Sequence, residues 1–209
     1  MKNSNLLLLV FILLVASSCQ NIVYLVAGFK TPRIESKETV MRFLQRNHQD
    51  TSDTYCLDSS IFLGLMHQSF KPGWKPGFRP IQIRVYDSNG LPIMHWASCE
   101  GYLKSLKTFD TVPPRNQINL DSTLSLQDDL KRYYTLDGQK AHINCGKGVD
   151  YYIIAYFSKS TYRMSKYSLK TIEKYVKKHP DLRIKLYKIN VDVMQWWNTE
   201  LIVDSRKHD

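Results

Sequence analysis

The residue types best suited to covalent or redox chemistry are few in this chain and far apart. The cysteines are Cys19, Cys56, Cys99 and Cys145, and no two form a CxxC pair. Disulfide exchange needs a thiolate of low pKa with a second thiol in reach, and neither is encoded locally. The six histidines are scattered without the paired spacing of a zinc site, so no metal ligand set and no cofactor is expected. Cys145-Gly-Lys-Gly148 places a lysine between glycines. It lacks the GxxxxGK[ST] spacing and precedes a strand instead of following one, which excludes a phosphate loop. Asp128-Asp129 and Asp192 read as isolated carboxylates at cap or surface positions. Trp196-Trp197 offers stacking surface for a sugar or lipid, although adjacent tryptophans at a strand end more commonly put one ring in the core and one at its rim.

Cys19 has a different context. Met1-Lys2 supplies one positive charge, Leu6 to Ala16 is an unbroken apolar run, and small residues precede Cys19. A membrane-spanning helix needs roughly 20 apolar residues, so this build is that of a signal peptide over residues 1–18, with an anchor helix or a buried helix as the alternatives. Val15-Ala16-Ser17-Ser18-Cys19 resembles the lipobox of bacterial lipoproteins, with Ala16 where leucine is commoner. The resemblance covers only the first 19 residues. It implies a diacylglycerol on Cys19, which becomes the new N-terminus, and a membrane partner reached through that lipid. Gln20 follows the cysteine, where aspartate favours inner-membrane retention in many Gram-negative bacteria, so the resemblance favours the outer membrane of the cell envelope over the inner. Residues 19–35 then read as a membrane tether.

Losing Lys2 with the leader reduces 29 Lys and Arg to 28, against 19 Asp and Glu, for a net charge of +9. Basic residues cluster between Lys159 and Arg183. They suit either a solvated helix face or a surface that meets anionic headgroups or acidic polymer. No nucleic-acid motif accompanies them, and an exported chain is not expected to meet nucleic acid. Three cysteines remain after Cys19, allowing at most one internal disulfide.

With 209 residues, 43% of them hydrophobic, the chain has material for one packed domain, expected over residues 36–209. A helical part is expected over 36–78. Ser36 caps a first helix with Val40, Phe43 and Leu44 inward, and Asp58 or Ser59 caps a second. Two Pro-Gly pairs make Lys71 to Phe78 a loop carrying Trp74 and Phe78. Over 79–110, Ile81 to Tyr86 alternates as a strand, Asp87-Ser-Asn-Gly90 is a hairpin turn, and Leu91 to Trp96 returns as an edge or bulged strand containing Pro92. A helix is expected from Glu100 to Phe109, and another from Asp121 or Ser122 to about Tyr134. Over 150–197, Tyr151 to Phe157 has no alternation and reads as a central strand covered on both faces. A helix from about Thr161 to Lys178 and a strand over Leu182 to Val191 complete a βαβ unit with a parallel pair.

Two stretches carry a fold resemblance. Tyr156-Phe157-Ser158-Lys159 and Lys188-Ile189-Asn190-Val191-Asp192 look like the strand ends of the first half of thioredoxin, with Thr161-Tyr162-Arg163-Met164 in place of Cys-x-x-Cys. Arg79-Pro80, the strand, turn and strand over Ile81 to Trp96 and the helix after them resemble its second half, in which a cis-proline precedes the hairpin. Here that half comes first. The resemblance implies an α/β, thioredoxin-like three-layer sandwich with a mixed sheet and circularly permuted halves. The alternative is two separate α/β pieces packed together. It also implies a groove beside Pro80, Thr161, Tyr162, Arg163 and Met164 that holds extended peptide or an envelope protein, without redox chemistry. A thiol oxidoreductase or peroxidase-like enzyme using Cys99 or Cys145 is the other reading.

Overall fold

The computed structural model describes residues 29–69, 79–98, 109–114 and 124–197. Cys19 and the leader, the loop over 71–78, Cys99, the expected helix from Glu100 up to Phe109 and its linker, and the expected cap at Asp121 or Ser122 lie outside the described residues.

Ten elements follow in order: α1 (Lys37–Arg46), β1 (Thr54–Leu57), α2 (Ser59–Ser69), β2 (Ile81–Asp87), β3 (Pro92–Ser98), α3 (Leu126–Leu130), β4 (Tyr133–Tyr134), β5 (Tyr151–Phe157), α4 (Tyr162–Lys178) and β6 (Ile184–Asn190). The six strands form one mixed sheet in the order β3-β2-β5-β6-β1-β4. β5 pairs antiparallel with β2 and parallel with β6, and β1 adds to β6 in parallel. The chain is therefore α/β, and the hairpin and the βαβ unit share a single sheet.

The local reasons are visible in the caps and turns. The Ser36 hydroxyl accepts from the Thr39 backbone N–H while the Ser36 N–H donates to the Thr39 hydroxyl, closing a reciprocal cap on α1. Asp58 Oδ1 accepts from the Ile61 N–H at 2.7 Å and starts α2. At the hairpin, Gly90 takes φ +78°, and the Asp87 carboxylate accepts from the Asn89 and Leu91 N–H groups. The register slips between Val85 and Tyr86, opposite Pro92, so the proline sits at a bulge on the edge strand where its missing N–H costs no ladder bond.

Alternation divides β2 and β5 between two faces. Phe157 points to one face and stacks on Phe43 of α1, with ring centroids 5.9 Å apart. On that face too, Lys188 of β6 meets Glu173 of α4. Arg84 and Tyr86 point to the opposite face, toward Asp129 of α3 and the Tyr156 ring. Every residue of β5 except Tyr151 is buried, as the unbroken apolar run requires.

Three expectations need correction. The helix placed up to Tyr134 is a single short turn, α3, capped by Ser125 through the Asp128 N–H. Tyr133 and Tyr134 leave it to pair antiparallel with Leu57 and Cys56, because an open sheet edge offers those backbone groups partners that a helix end does not. The part expected to be helical over 36–78 also contains a strand, β1, whose four residues carry no clear local pattern and which owes its form to β6. The Arg79–Pro80 bond is trans; among the described residues the cis bond is Val112–Pro113. No helix among the described residues is long and apolar enough to cross a membrane.

Candidate functional site

Two places in the described fold concentrate polar groups. The first is the carboxyl end of β5 and β6, where the chain turns into α4. Ser158 and Thr161 are buried there, together with Ser165 in the first turn of α4, Asn190 at the end of β6 and Asp192 just after it. Asp192 Oδ1 accepts from the Ser158 hydroxyl at 2.5 Å, and its Oδ2 accepts from the Lys159 N–H and the Asn190 amide. The Ser165 hydroxyl donates to the Ser158 carbonyl, accepts from the Ser158 N–H and lies 2.9 Å from the Thr161 hydroxyl. Serine and threonine thus close the loop by hydrogen bonds. Each buried hydroxyl is satisfied, which keeps the turn rigid.

The chain before α1 crosses this end of the sheet. Lys30 N–H donates to the Ser160 carbonyl, and the Lys30 ammonium lies 4.1 Å from the centre of the Tyr162 ring. Further along, the Glu35 N–H donates to the Val193 carbonyl and the Glu35 carbonyl accepts from the Gln195 N–H, a parallel bridge to the segment after β6. The Glu35 carboxylate, buried, pairs with the Lys159 ammonium and accepts from the Thr39 hydroxyl. Residues 30–35 are thereby fastened at both ends over the loop.

The five groove residues separate. Thr161 is buried and precedes α4. Tyr162 is half-buried, edge-on to Phe43, with its hydroxyl 3.3 Å from Asn47 Oδ1. Arg163 faces solvent and Met164 is in the core. Pro80 is half-buried. Ile83 pairs with Ala155, so three residues back along β2 and three on along β5 the register runs Pro80 toward Ser158. The proline and the loop therefore lie at the same end of adjacent strands.

The base that meets the Ser158 hydroxyl is Asp192, but the pair is closed off. Ser158 is 2% exposed, and the carboxylate also accepts from the Lys159 N–H and the Asn190 amide, so a substrate cannot reach a nucleophile there. The thiols are equally unsuited. Cys56 is fully buried under Tyr134 and Thr135, and burial, helped by Asp137 and Asp58, pushes it up to about 12. Cys145 is exposed, and partial burial raises it too. Reactive thiols are shifted the other way. Cys145 lines a depression of about 610 Å³ with Gln127, Lys131 and His142, yet among the described residues no hydrogen bond joins the His142 imidazole to its thiol. Cys56 and Cys145 form no disulfide, and among the described residues no group of three or more metal-ligating side chains converges.

The second place is inside the other face of the sheet, and sequence reading missed it. Arg84 Nη1 donates to Asp129 Oδ1 at 2.7 Å, and the Tyr86 hydroxyl donates to Asp129 Oδ2 at 2.8 Å. Asp129 is fully buried, and the Arg84 guanidinium lies over the Tyr156 ring, whose hydroxyl meets that of Tyr133 at 3.2 Å. Arg84 Nη2 also donates to Gln82 Oε1, which His95 Nε2 approaches at 3.2 Å. The alternation of β2 was legible and puts residue 84 on the face opposite Ile83 and Val85, but the partner came from 45 residues away and read as a surface carboxylate. The cluster is enclosed and its charges are paired, with Arg84 Nε alone of the guanidinium nitrogens lacking a hydrogen-bond partner, so it reads as a structural ion pair and not a substrate site.

Its edge is titratable. Burial, with a smaller push from the Arg84 guanidinium that Asp129 partly offsets, lowers the His95 imidazole to about 4. An imidazole held below its ordinary 6.5 binds its proton more readily in the unfolded chain. Its contribution is therefore intact above pH 6.5 and is lost as pH falls toward 4. Between pH 7 and about 4.5 the wild type should lose about 2–3 kcal/mol more than His95→Gln, read from urea midpoints at each pH. Equal losses in the two proteins would remove His95 as the cause.

Trp196 and Trp197 divide as adjacent tryptophans do. Trp197 is buried, and its indole N–H donates to the Leu57 carbonyl. Trp196 is half-buried, stacks near Tyr134 and presses on Gly138, where a Cβ would stand 2.7 Å from the indole. Comparison with protein-family models, curated proteins and solved structures found no match.

Proposed function

We propose that this is a lipid-anchored cell-envelope protein, held through an acylated Cys19 on the outer membrane rather than the inner, whose domain is a circularly permuted, thioredoxin-like sandwich that acts by binding and not by thiol chemistry. The observation that carries the fold reading is the sheet order. The hairpin strand β2 lies antiparallel beside β5, the first strand of the βαβ unit, with α4 crossing to β6. Two α/β pieces packed side by side would not share that ladder. The register toward Ser158 brings Pro80 to the loop that replaces Cys-x-x-Cys, which supports the permutation even though its peptide bond is trans.

The loss of redox chemistry is supported by what occupies that loop: Ser158, Thr161, Ser165 and Asp192 hydrogen-bonded to one another, with both described thiols shifted upward. Binding falls to the rim that remains accessible, formed by Pro80, Tyr162 and Arg163, where an extended peptide or an envelope protein is the partner the fold suits. The oxidoreductase reading keeps one favourable feature, the exposed Cys145 beside its depression.

Insulin reduction combined with thiol alkylation separates the two. The mature protein should show no turnover, and Cys145 should alkylate slowly at neutral pH and quickly only at alkaline pH, because partial burial raises its thiol above the ordinary range. A thiol that alkylates rapidly at neutral pH, with insulin reduced catalytically, would overturn the binding reading.

A further inference from the structure

The outward face of α4 is a line of cations. Arg163, Lys166, Lys170, Lys174 and Lys177 follow at steps of three and four residues, and all are exposed. Such spacing keeps them on one side of the helix, over a length of about 20 Å. Lys178 adds to the carboxyl end, where cations also suit the helix dipole. The single carboxylate of the helix, Glu173, is turned away to the buried Lys188 and the Asp50 backbone N–H. Among the described residues, Lys166, Lys170, Lys174, Lys177 and Lys178 have no ion-pair partner. Tyr167, 44% exposed, sits in the middle of the stripe. Lys37, Lys131, Arg183 and Lys185 each pair with an aspartate, while exposed cations such as Arg42, Arg46 and Lys147 form no comparable row. What sets α4 apart is four lysines without an ion-pair partner, Lys166, Lys170, Lys174 and Lys177, aligned on one outward helix face, an arrangement suited to an external anion.

The path of the chain selects which one. Lys30 is hydrogen-bonded to Ser160 and stacked on Tyr162, the first residue of α4. The segment that precedes it therefore reaches the domain at the amino end of the stripe. Ten residues separate Phe29 from Cys19, a reach of at most about 35 Å when fully extended. A domain held on so short a tether keeps the amino end of α4 within about 35 Å of the bilayer surface, at high effective concentration. Lysine and arginine near an anionic leaflet are attracted by its surface potential, and a tyrosine ring is at home at headgroup level.

We infer that the basic face of α4 lies on the anionic phospholipid surface of the membrane that holds the chain, fixing the orientation of the domain. This rests on the anchored reading given above. The full chain is reconstituted into neutral phosphatidylcholine vesicles and into vesicles with about 30% phosphatidylglycerol. Flotation reads attachment, and acylation by an impermeant amine reagent, followed by mass spectrometry, reads the lysines. At about 50 mM salt, Lys166, Lys170, Lys174 and Lys177 should react at least about threefold more slowly on anionic vesicles, and the protection should vanish at about 500 mM. Lys131 should not change. Lys170→Glu with Lys174→Glu, both exposed, should abolish protection at Lys166 and Lys177.

A chain that floats with both vesicles but shows equal lysine reactivity leaves the anchor intact and overturns the inference. Flotation with anionic vesicles alone, with protection, upholds the docking face and defeats the anchor. Flotation with neither defeats both. Protection by soluble polyphosphate and none by anionic vesicles would assign the face to an acidic polymer instead.

Discussion

Asp129→Asn should destabilise the domain by about 3–5 kcal/mol at pH 7. The carboxylate is fully buried and receives Arg84 Nη1 at 2.7 Å and the Tyr86 hydroxyl at 2.8 Å. An asparagine preserves the volume but leaves the guanidinium charged, 11% exposed, against the Tyr156 ring with no counter-charge. The penalty is the desolvation of that unpaired charge, and it exceeds what the pair itself contributes. A typical domain has only about 5–15 kcal/mol of total stability, so the variant should have a far lower urea midpoint and sit close to unfolding. Arg84→Met, Asp129→Leu and Tyr86→Phe together should recover most of the loss, because the charge, its partner and the hydroxyl that needs an acceptor all go at once. A wild-type midpoint in Asp129→Asn would mean that the Arg84 charge is compensated by something other than this carboxylate.

That ion pair also illustrates the limits of reading the chain from its sequence. Features written in a few adjacent residues were legible. Asp87 to Gly90 made the hairpin turn, Ser36 capped α1, the apolar run Tyr151 to Phe157 became the strand covered on both faces, and the residues after it formed the α4–β6 crossover. Features that depend on distant partners were not. Tyr133-Tyr134 looked helical because local propensity cannot see the edge of β1. Thr54–Leu57 looked like nothing because its ladder partner lies 134 residues on, at Lys188 to Asn190. Asp192 reads as isolated in the sequence, yet it organises the loop between β5 and α4. The same holds for Glu35, whose backbone fastens the incoming chain across that loop. In each case the residue type was visible and its partner was not.

The strand-end loop links fold to function. Hydroxyl and carboxylate groups there satisfy one another, the chain before α1 lies across them, and the α4 stripe begins beside the point where that chain arrives. On the proposed reading this end of the sheet is where the tether meets the domain, and binding would fall to the exposed rim and to the cations of α4.

The anchored account depends on Cys19 carrying lipid. Burial of acyl methylenes contributes about 0.8 kcal/mol each, so two or three chains hold a protein on a bilayer where one chain holds it only marginally. The wild-type chain, expressed in a bacterium grown with labelled palmitate and isolated from the membrane fraction, should carry the label. Cys19→Ala should carry none and should keep residues 1–18. An unlabelled wild-type protein, or a Cys19→Ala protein labelled as strongly as wild type, would contradict the anchored account.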